Sequence, residues 1–296
     1  MSREITVSIV TPTYNRGYLL HKCFDSLLAQ TDRDFEWIIV DDGSSDDTET
    51  VVRGFEPADF PIIYIKKENG GKHTALNASH PHIHGKYVLI LDSDDYLTAG
   101  AVAEVKKGWA LYDTNEAVGM VTFLKGNPDG EAVCKSPTPG QLVEVLRHKR
   151  VMIHSMDCCE VVRAELFKKY PFPVFEGERF LSECALWNRV GRSHKCVYIN
   201  EVVYICEYLE GGLTDSGRAM RIRNPKGGMF ICDLRMGSNN FLSQRIKYGL
   251  LYTCYGYFDG RSGARIYHGS RNKALTLLCL LPGYAIYRRW KKTYLK

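Results

Sequence analysis

Four short apolar runs in the first hundred residues, each ending in a polar loop, constrain this chain more than any other feature. They are Ile5–Thr11, Glu36–Val40, Ile62–Ile65 and Tyr87–Leu91. Continuous runs rich in Val and Ile suit strands covered on both faces, as in a parallel sheet. Helical periodicity fills the gaps. Leu20, Cys23, Phe24, Leu27 and Leu28 share one face, with Asn15 placed as an N-cap. A second helix is expected over Thr48–Phe55, opened by Ser44-Ser45-Asp46-Asp47, and a third after Gly71. This β-α-β-α-β order predicts a doubly wound α/β fold with a mostly parallel sheet.

In such folds, ligands sit at the carboxyl ends of the strands. Four polar loops fall there: Thr11–Arg16, Asp41–Ser44, Asn69–Lys72 and Asp92–Asp95. Their common register makes them one candidate site.

The remaining sequence reads less regularly. Strands are expected over Val118–Phe123, Lys195–Ile199 and Val202–Tyr208, and short helices over Gln141–Arg147, Val161–Lys168 and Ser182–Val190. Asn127–Gly140 reads as a loop, and the β signal is lost from about Asn240. Residues 1–235 are expected to form one domain in two halves, 1–105 and 106–235; residues 236–296 form a helical extension.

The 296 residues are 45% hydrophobic and 25% charged, enough for a sizeable core and ordinary for a globular chain. The net charge of +5 is mild, and no nucleic acid is expected among the partners. Ten cysteines are scattered without a CxxC pair, the usage of small core residues in a reducing compartment. Met1–Thr6 has no apolar leader, and no apolar stretch reaches the roughly 18 residues of a spanning helix. A cytoplasmic protein is expected.

Asp92 and Asp94 stand two residues apart just past a buried run, so both carboxylates project to one side. Hard oxygen donors of this kind suit Mg²⁺ or Mn²⁺, ions that also bind diphosphates. An acidic turn capping the next helix is the plainer alternative.

Val7–Arg16, then Val40-Asp41-Asp42-Gly43-Ser44, then Leu91-Asp92-Ser93-Asp94-Asp95, resembles the family 2 glycosyltransferases over roughly Val7–Tyr208. That resemblance implies a GT-A fold, with a Rossmann-like sheet flanked by helices, and an inverting transfer from a nucleotide-diphosphate sugar. It implies that Asp94 binds Mn²⁺ or Mg²⁺, that Asp92 contacts the ribose or assists the metal, and that Asp41 accepts from the imide of a uracil, favouring a UDP-sugar. Thr11 and Arg16 would line the base and ribose pocket, while Asp42 and Ser44 are read as turn and cap residues. Lys72 reads equally as a phosphate contact and as a solvated side chain at a helix start.

An acceptor hydroxyl needs a base. Glu183, before Leu186, Trp187 and Val190, is the best match and Glu178 the runner-up. Glu207–Thr214, followed by Arg218, Arg221, Arg223 and Lys226, reads as a lid over the donor or as a solvated basic loop.

The expected acceptor is a saccharide or a lipid-linked saccharide, in surface polysaccharide or glycolipid synthesis. A nucleotide-sugar-binding protein without turnover is the alternative. Leu275–Pro282 is apolar and too short to span, and Arg288–Lys292 adds charge beside Trp290. The pairing suits an anchor on an anionic membrane surface, on the inner face, and equally a helix packed on the domain with a basic tail.

Overall fold

The computed structural model describes residues 5–55, 58–148, 153–154, 157–207, 217–237 and 239–295. They fall into two compact units. One runs to Phe172 and includes Ser193–Glu207; the other joins Pro173–Arg192 to the residues from Tyr208 onward.

The first unit holds strands β1 (Val7–Thr13), β2 (Phe35–Asp41), β3 (Ile62–Lys66), β4 (Tyr87–Ile90), β5 (Tyr96–Leu97) and β6 (Val118–Gly126). Then come β7 (Cys134–Lys135), β8 (Leu142–Val143), β9 (Ile153–His154), β10 (Cys158–Arg163) and β11 (Lys195–Ile205). Its helices are α1 (Leu20–Leu28), α2 (Thr48–Arg53), α3 (Lys72–Ala78), α4 (Ala101–Ala110), α5 (Val145–His148) and α6 (Ala164–Lys169).

The main sheet runs β3-β2-β1-β4-β10-β6-β11-β5, with β8 also on β11. The first four strands are parallel, and β11 is parallel to β6. Strand β10 runs against both β4 and β6, and β5 against β11. Every residue of β1 and β2 is buried, which is why neither shows the apolar-polar alternation of a half-exposed strand. Leu20, Cys23 and Leu27 of α1 and Val102, Val105 and Trp109 of α4 share one core with Trp37, Ile39, Val121 and Phe123.

Several sequence expectations are corrected. β1 runs on to Thr13 rather than ending at Thr11. Pro12 is tolerated because Val10, of the same parity, faces β4, which ends at Ile90; no ladder partner awaits Pro12 there. Asn15 caps no helix. It adopts φ 50°, a conformation Asn tolerates, and its side chain accepts from the Ser45 amide at 2.8 Å.

Val161–Lys168 divides between β10 and α6. No Gly or Pro separates strand from helix, so the two periods merge in the sequence. Gln141–Arg147 likewise divides between β8 and α5. The two expected strands near 195–208 are one strand, β11; register shifts against β6 lie on either side of Val202, and Asn200 and Glu201 face outward. Tyr208 lies outside the described residues. His73 is buried in α3.

The second unit is helical: α7 (Cys184–Val190), α8 (Gly217–Arg223), α9 (Pro225–Arg235), α10 (Leu242–Phe258), α11 (Gly263–Gly269) and α12 (Lys273–Tyr294). Ile222, Met229, Cys232, Met236, Tyr252, Tyr255 and Ile266 form its core, joined by Leu275, Leu280 and Trp290. At Gly283 a side chain would collide with the Thr253 hydroxyl, so only glycine lets α12 approach α10 there. The opposite side of α12 leaves Leu277, Leu278 and Leu281 exposed by 60%, 76% and 83%. No helix among the described residues is long and apolar enough to cross a membrane.

Candidate active site

The four polar loops meet at the carboxyl edge of β1, β2, β3 and β4. Asp42, nearly buried after β2, accepts from Lys67 Nζ at 2.6 Å and from the Gly70 and Gly71 amides at 3.0 and 2.6 Å. The Ser44 hydroxyl accepts from the Asn15 amide at 2.8 Å. Gly43 turns at φ 83°, and a Cβ there would lie 2.8 Å from the Asn69 amide nitrogen, so the second loop can approach the third this closely because the residue is glycine. Asp42 and Ser44 thus hold the loops in place, as expected of turn residues.

Asp92 and Asp94 occupy the turn after β4, which the Asp95 amide closes on the Asp92 carbonyl at 3.1 Å. Each meets a cation from another loop: Lys72 Nζ lies 2.5 Å from Asp92 Oδ1, and Arg16 Nη1 2.7 Å from Asp94 Oδ2. Burial opposes ionisation of Asp92, but Lys72, Lys125 and Arg16 outweigh it and hold the carboxyl below the usual aspartate range. So four of the expected residues, Arg16, Lys72, Asp92 and Asp94, converge.

Asp95 points inward. Tyr204 donates to its Oδ2 at 2.7 Å and accepts from the Asp92 amide at 3.0 Å. Burial, then the neighbouring Asp92 charge, push the Asp95 carboxyl up to about 7. Lys125 Nζ sits 4.3 Å from the centre of the Tyr204 ring. Neither Tyr204 nor Lys125 was singled out from the sequence. Tyr204 reads there as one more apolar strand position; the one available signal was a lysine following the buried run that ends at Leu124.

Two expected donor residues sit deeper than the resemblance implies. Thr11 is fully buried, its hydroxyl accepting from Trp37 Nε1 at 2.9 Å, so its side chain belongs to the core under the site and not to a pocket wall. The reason is the longer β1, which keeps Thr11 inside the sheet. Asp41 is also buried; the Ser44 amide donates to Oδ1 at 2.7 Å and the Tyr64 hydroxyl to Oδ2 at 2.6 Å.

The donor set fits a hard divalent ion. Among the described residues no group of three His, Cys, Asp or Glu gathers, so a protein cage is absent. Two partly exposed carboxylates are what Mg²⁺ or Mn²⁺ uses when phosphate oxygens and water complete its shell.

In the second unit, Glu183 stands at the N-cap of α7 and is partly exposed; its carbonyl accepts from the Leu186 and Trp187 amides at 2.8 and 3.2 Å. The helix therefore starts at Cys184, two residues later than expected. Glu178 accepts from the Lys226 and Gly227 amides at 2.6 and 2.8 Å and so caps α9. Both its oxygens accept backbone hydrogen bonds at a helix start, which gives Glu178 a structural role. Trp187 is buried, a core residue.

Of the expected lid, residues 208–216 lie outside the described residues. Arg218 stacks on Trp290 at 4.8 Å, and Lys226 Nζ donates to the Glu176 carbonyl at 2.8 Å.

The sequence profile of Glycosyl transferase family 2 matches residues 8–170, more than half of the chain, and the chain belongs to that family. The glycosyltransferase GlyA of Streptococcus pneumoniae is 34% identical over 113 residues, 38% of this chain but 16% of that protein. Staphylococcus aureus TarS 1–349, solved with UDP-GlcNAc, superposes with a TM-score of 0.67 at 15% identity, covering 98% of this chain and 92% of that one. The mannosyltransferase PcManGT of Pyrobaculum calidifontis, solved with GDP-Man and Mn²⁺, gives 0.59 at 20% identity, covering 99% and 84%. At these identities the structures establish the GT-A fold.

Proposed function

We propose that this chain is an inverting, metal-dependent glycosyltransferase, moving a sugar from a nucleotide-diphosphate donor to a hydroxyl acceptor in surface polysaccharide or glycolipid synthesis. The observation that carries the reading is the convergence of Asp92, Asp94, Arg16 and Lys72 on one strand edge. Family membership and the nucleotide sugars with which TarS and PcManGT were solved support it.

Asp94, with Asp92 beside it, would hold Mn²⁺ or Mg²⁺. Such an ion supplies Lewis-acid neutralisation of the charge that builds on the departing diphosphate. Arg16 and Lys72, displaced from the two carboxylates, then become donors to the same phosphates. Tyr204 fixes the turn from below, so the carboxylates are oriented before the donor arrives. Asp41 reads the base as a rigid acceptor: it retains a lone pair on each oxygen, and a uracil imide that reaches it takes the place of the Tyr64 hydroxyl. Glu183 takes the proton of the acceptor hydroxyl as it attacks the anomeric carbon from the side away from the diphosphate.

The exposed leucines of α12, with Arg288, Arg289, Lys291 and Lys292 beyond them, form an apolar patch continued by a basic end. We assign this face to an anionic membrane surface, on the cytoplasmic side, where a lipid-linked acceptor is presented.

A donor panel decides the central reading. Purified protein with Mn²⁺ should turn over a UDP-sugar in the presence of saccharide or lipid-linked acceptors. Nucleotide-sugar binding without release of nucleoside diphosphate across the panel would instead establish a non-catalytic binder.

A further inference from the structure

The second unit contains a pocket of about 100 Å³. Leu181, Ile231 and Leu251 line it beside two arginines, Arg221 and Arg235, and no Asp or Glu is among the lining residues. Arg235 ends α9, and its Nε is buried with no hydrogen-bond partner. Among the described residues its guanidinium meets Tyr248, whose hydroxyl accepts from Nη1 and whose ring lies 4.9 Å from Cζ. Arg221 stands exposed at the edge.

The same protein shows what a structural buried arginine looks like. Arg163 donates to the Val118, Tyr112, Asp113 and Asn115 carbonyls at 2.8–3.2 Å, and it has Asp113 Oδ1 at 3.7 Å. Among the described residues Arg235 has no such saturation. Nor does the Cys232 thiol supply charge: burial pushes it up to about 12, so it is neutral. A guanidinium withdrawn from water without a counter-ion is costly. Its planar fork matches phosphate oxygens.

We propose that this pocket is a phosphate subsite, with Arg235 at its floor and Arg221 at its mouth. Its volume suits one anionic group rather than a whole ligand, since complete small-molecule sites run to roughly 300–1,000 Å³. Ser182 and Cys184 line the pocket on either side of Glu183 in the sequence, which assigns the phosphate to the acceptor. That assignment rests on the transferase reading; the anion site itself does not.

Calorimetry on the full chain tests it with three probes: inorganic pyrophosphate, farnesyl diphosphate and farnesol. Both diphosphates should bind and farnesol should not. Arg235→Met should weaken both by about tenfold or more, the loss of a charge-assisted pair. Arg221→Gln, at an exposed position that leaves the fold intact, should weaken them too. UDP affinity with Mn²⁺ should be unchanged in both variants. Failure of either diphosphate to bind, or equal binding by both variants, overturns the site. Loss of UDP affinity in the Arg235 variant would give the pocket to the donor and overturn its place on the acceptor, as would pyrophosphate binding more tightly than farnesyl diphosphate. A protein that binds these diphosphates yet turns over no donor keeps the site and loses only the transferase reading.

Discussion

Arg16 Nη1 lies 2.7 Å from Asp94 Oδ2, so the carboxylate assigned to a metal already holds a cation. A divalent ion must displace that guanidinium. Mn²⁺ alone should therefore bind weakly, and Arg16→Met should tighten binding of the ion alone while weakening donor binding. Isothermal titration with and without UDP checks both. Equal Mn²⁺ affinity in wild type and variant would show that the pair does not gate the metal.

Asp94→Ala should abolish metal-dependent donor binding and leave the fold intact, because the Asp94 carboxylate is partly exposed and pairs with Arg16 at the strand edge. Titration of a UDP-sugar in the presence of Mn²⁺ tests this; unchanged affinity removes Asp94 as the ligand.

Asp41 and Tyr64 give the base preference a physical handle. Uridine donors should bind more tightly than cytidine or guanosine donors, and Asp41→Asn should erase the preference. A GDP-sugar binding as well as any UDP-sugar would refute the assignment.

Glu183→Gln should lower kcat roughly a hundred- to ten-thousand-fold, with donor affinity nearly unchanged, since the variant cannot take a proton. Glu178→Gln should act on stability instead. Helix caps contribute about 1 kcal/mol, and its kcat should hold. Burial raises the Glu178 carboxyl above the usual range. The native state therefore binds that proton more tightly, and wild type loses stability as pH rises from about 4.3 toward the raised value. The variant lacks this slope, which melting curves across that window will show. Normal turnover by the Glu183 variant would place the base elsewhere.

Leu278→Glu with Leu281→Glu should release the protein from anionic vesicles without unfolding it, because both side chains already face outward. Each leucine contributes roughly 1.5–3 kcal/mol when buried, and each nearby basic residue about 1 kcal/mol. Truncating the helix is the poorer experiment: Leu275 and Leu280 pack in the core of the second unit. Full-length protein that ignores such vesicles at low salt would leave α12 a purely structural helix.

The parallel half of the sheet and its loop cluster were legible in the sequence because β1, β2 and most of β4 are buried on both faces and each loop carries several polar residues at once. The later strands were not. β10 passes directly into α6 at Arg163, and the pattern there averages two periods into one. Register shifts in β11 broke its alternation at Asn200 and Glu201, and one strand read as two. In the site, charge was visible and depth was not: nothing in the letters distinguishes Thr11, inside the sheet, from Arg16, five residues later at its edge. Tyr204 escaped because a tyrosine that orders a carboxylate turn is spelled like one that fills a core.

The Tyr204 contact also sets a schedule for synthesis. The turn at Asp92–Asp95 is closed by a strand pair, β5 with β11, and by a hydroxyl 112 residues further along the chain. A ribosome that has released residues 1–105 has made all four loops but none of the clasp that fixes the last one. Contacts so distant in sequence form late, after the entropy of a long loop has been overcome. A nascent chain, or a fragment cut at that point, therefore carries the acidic motif without its geometry, and the donor site becomes competent only once β11 docks.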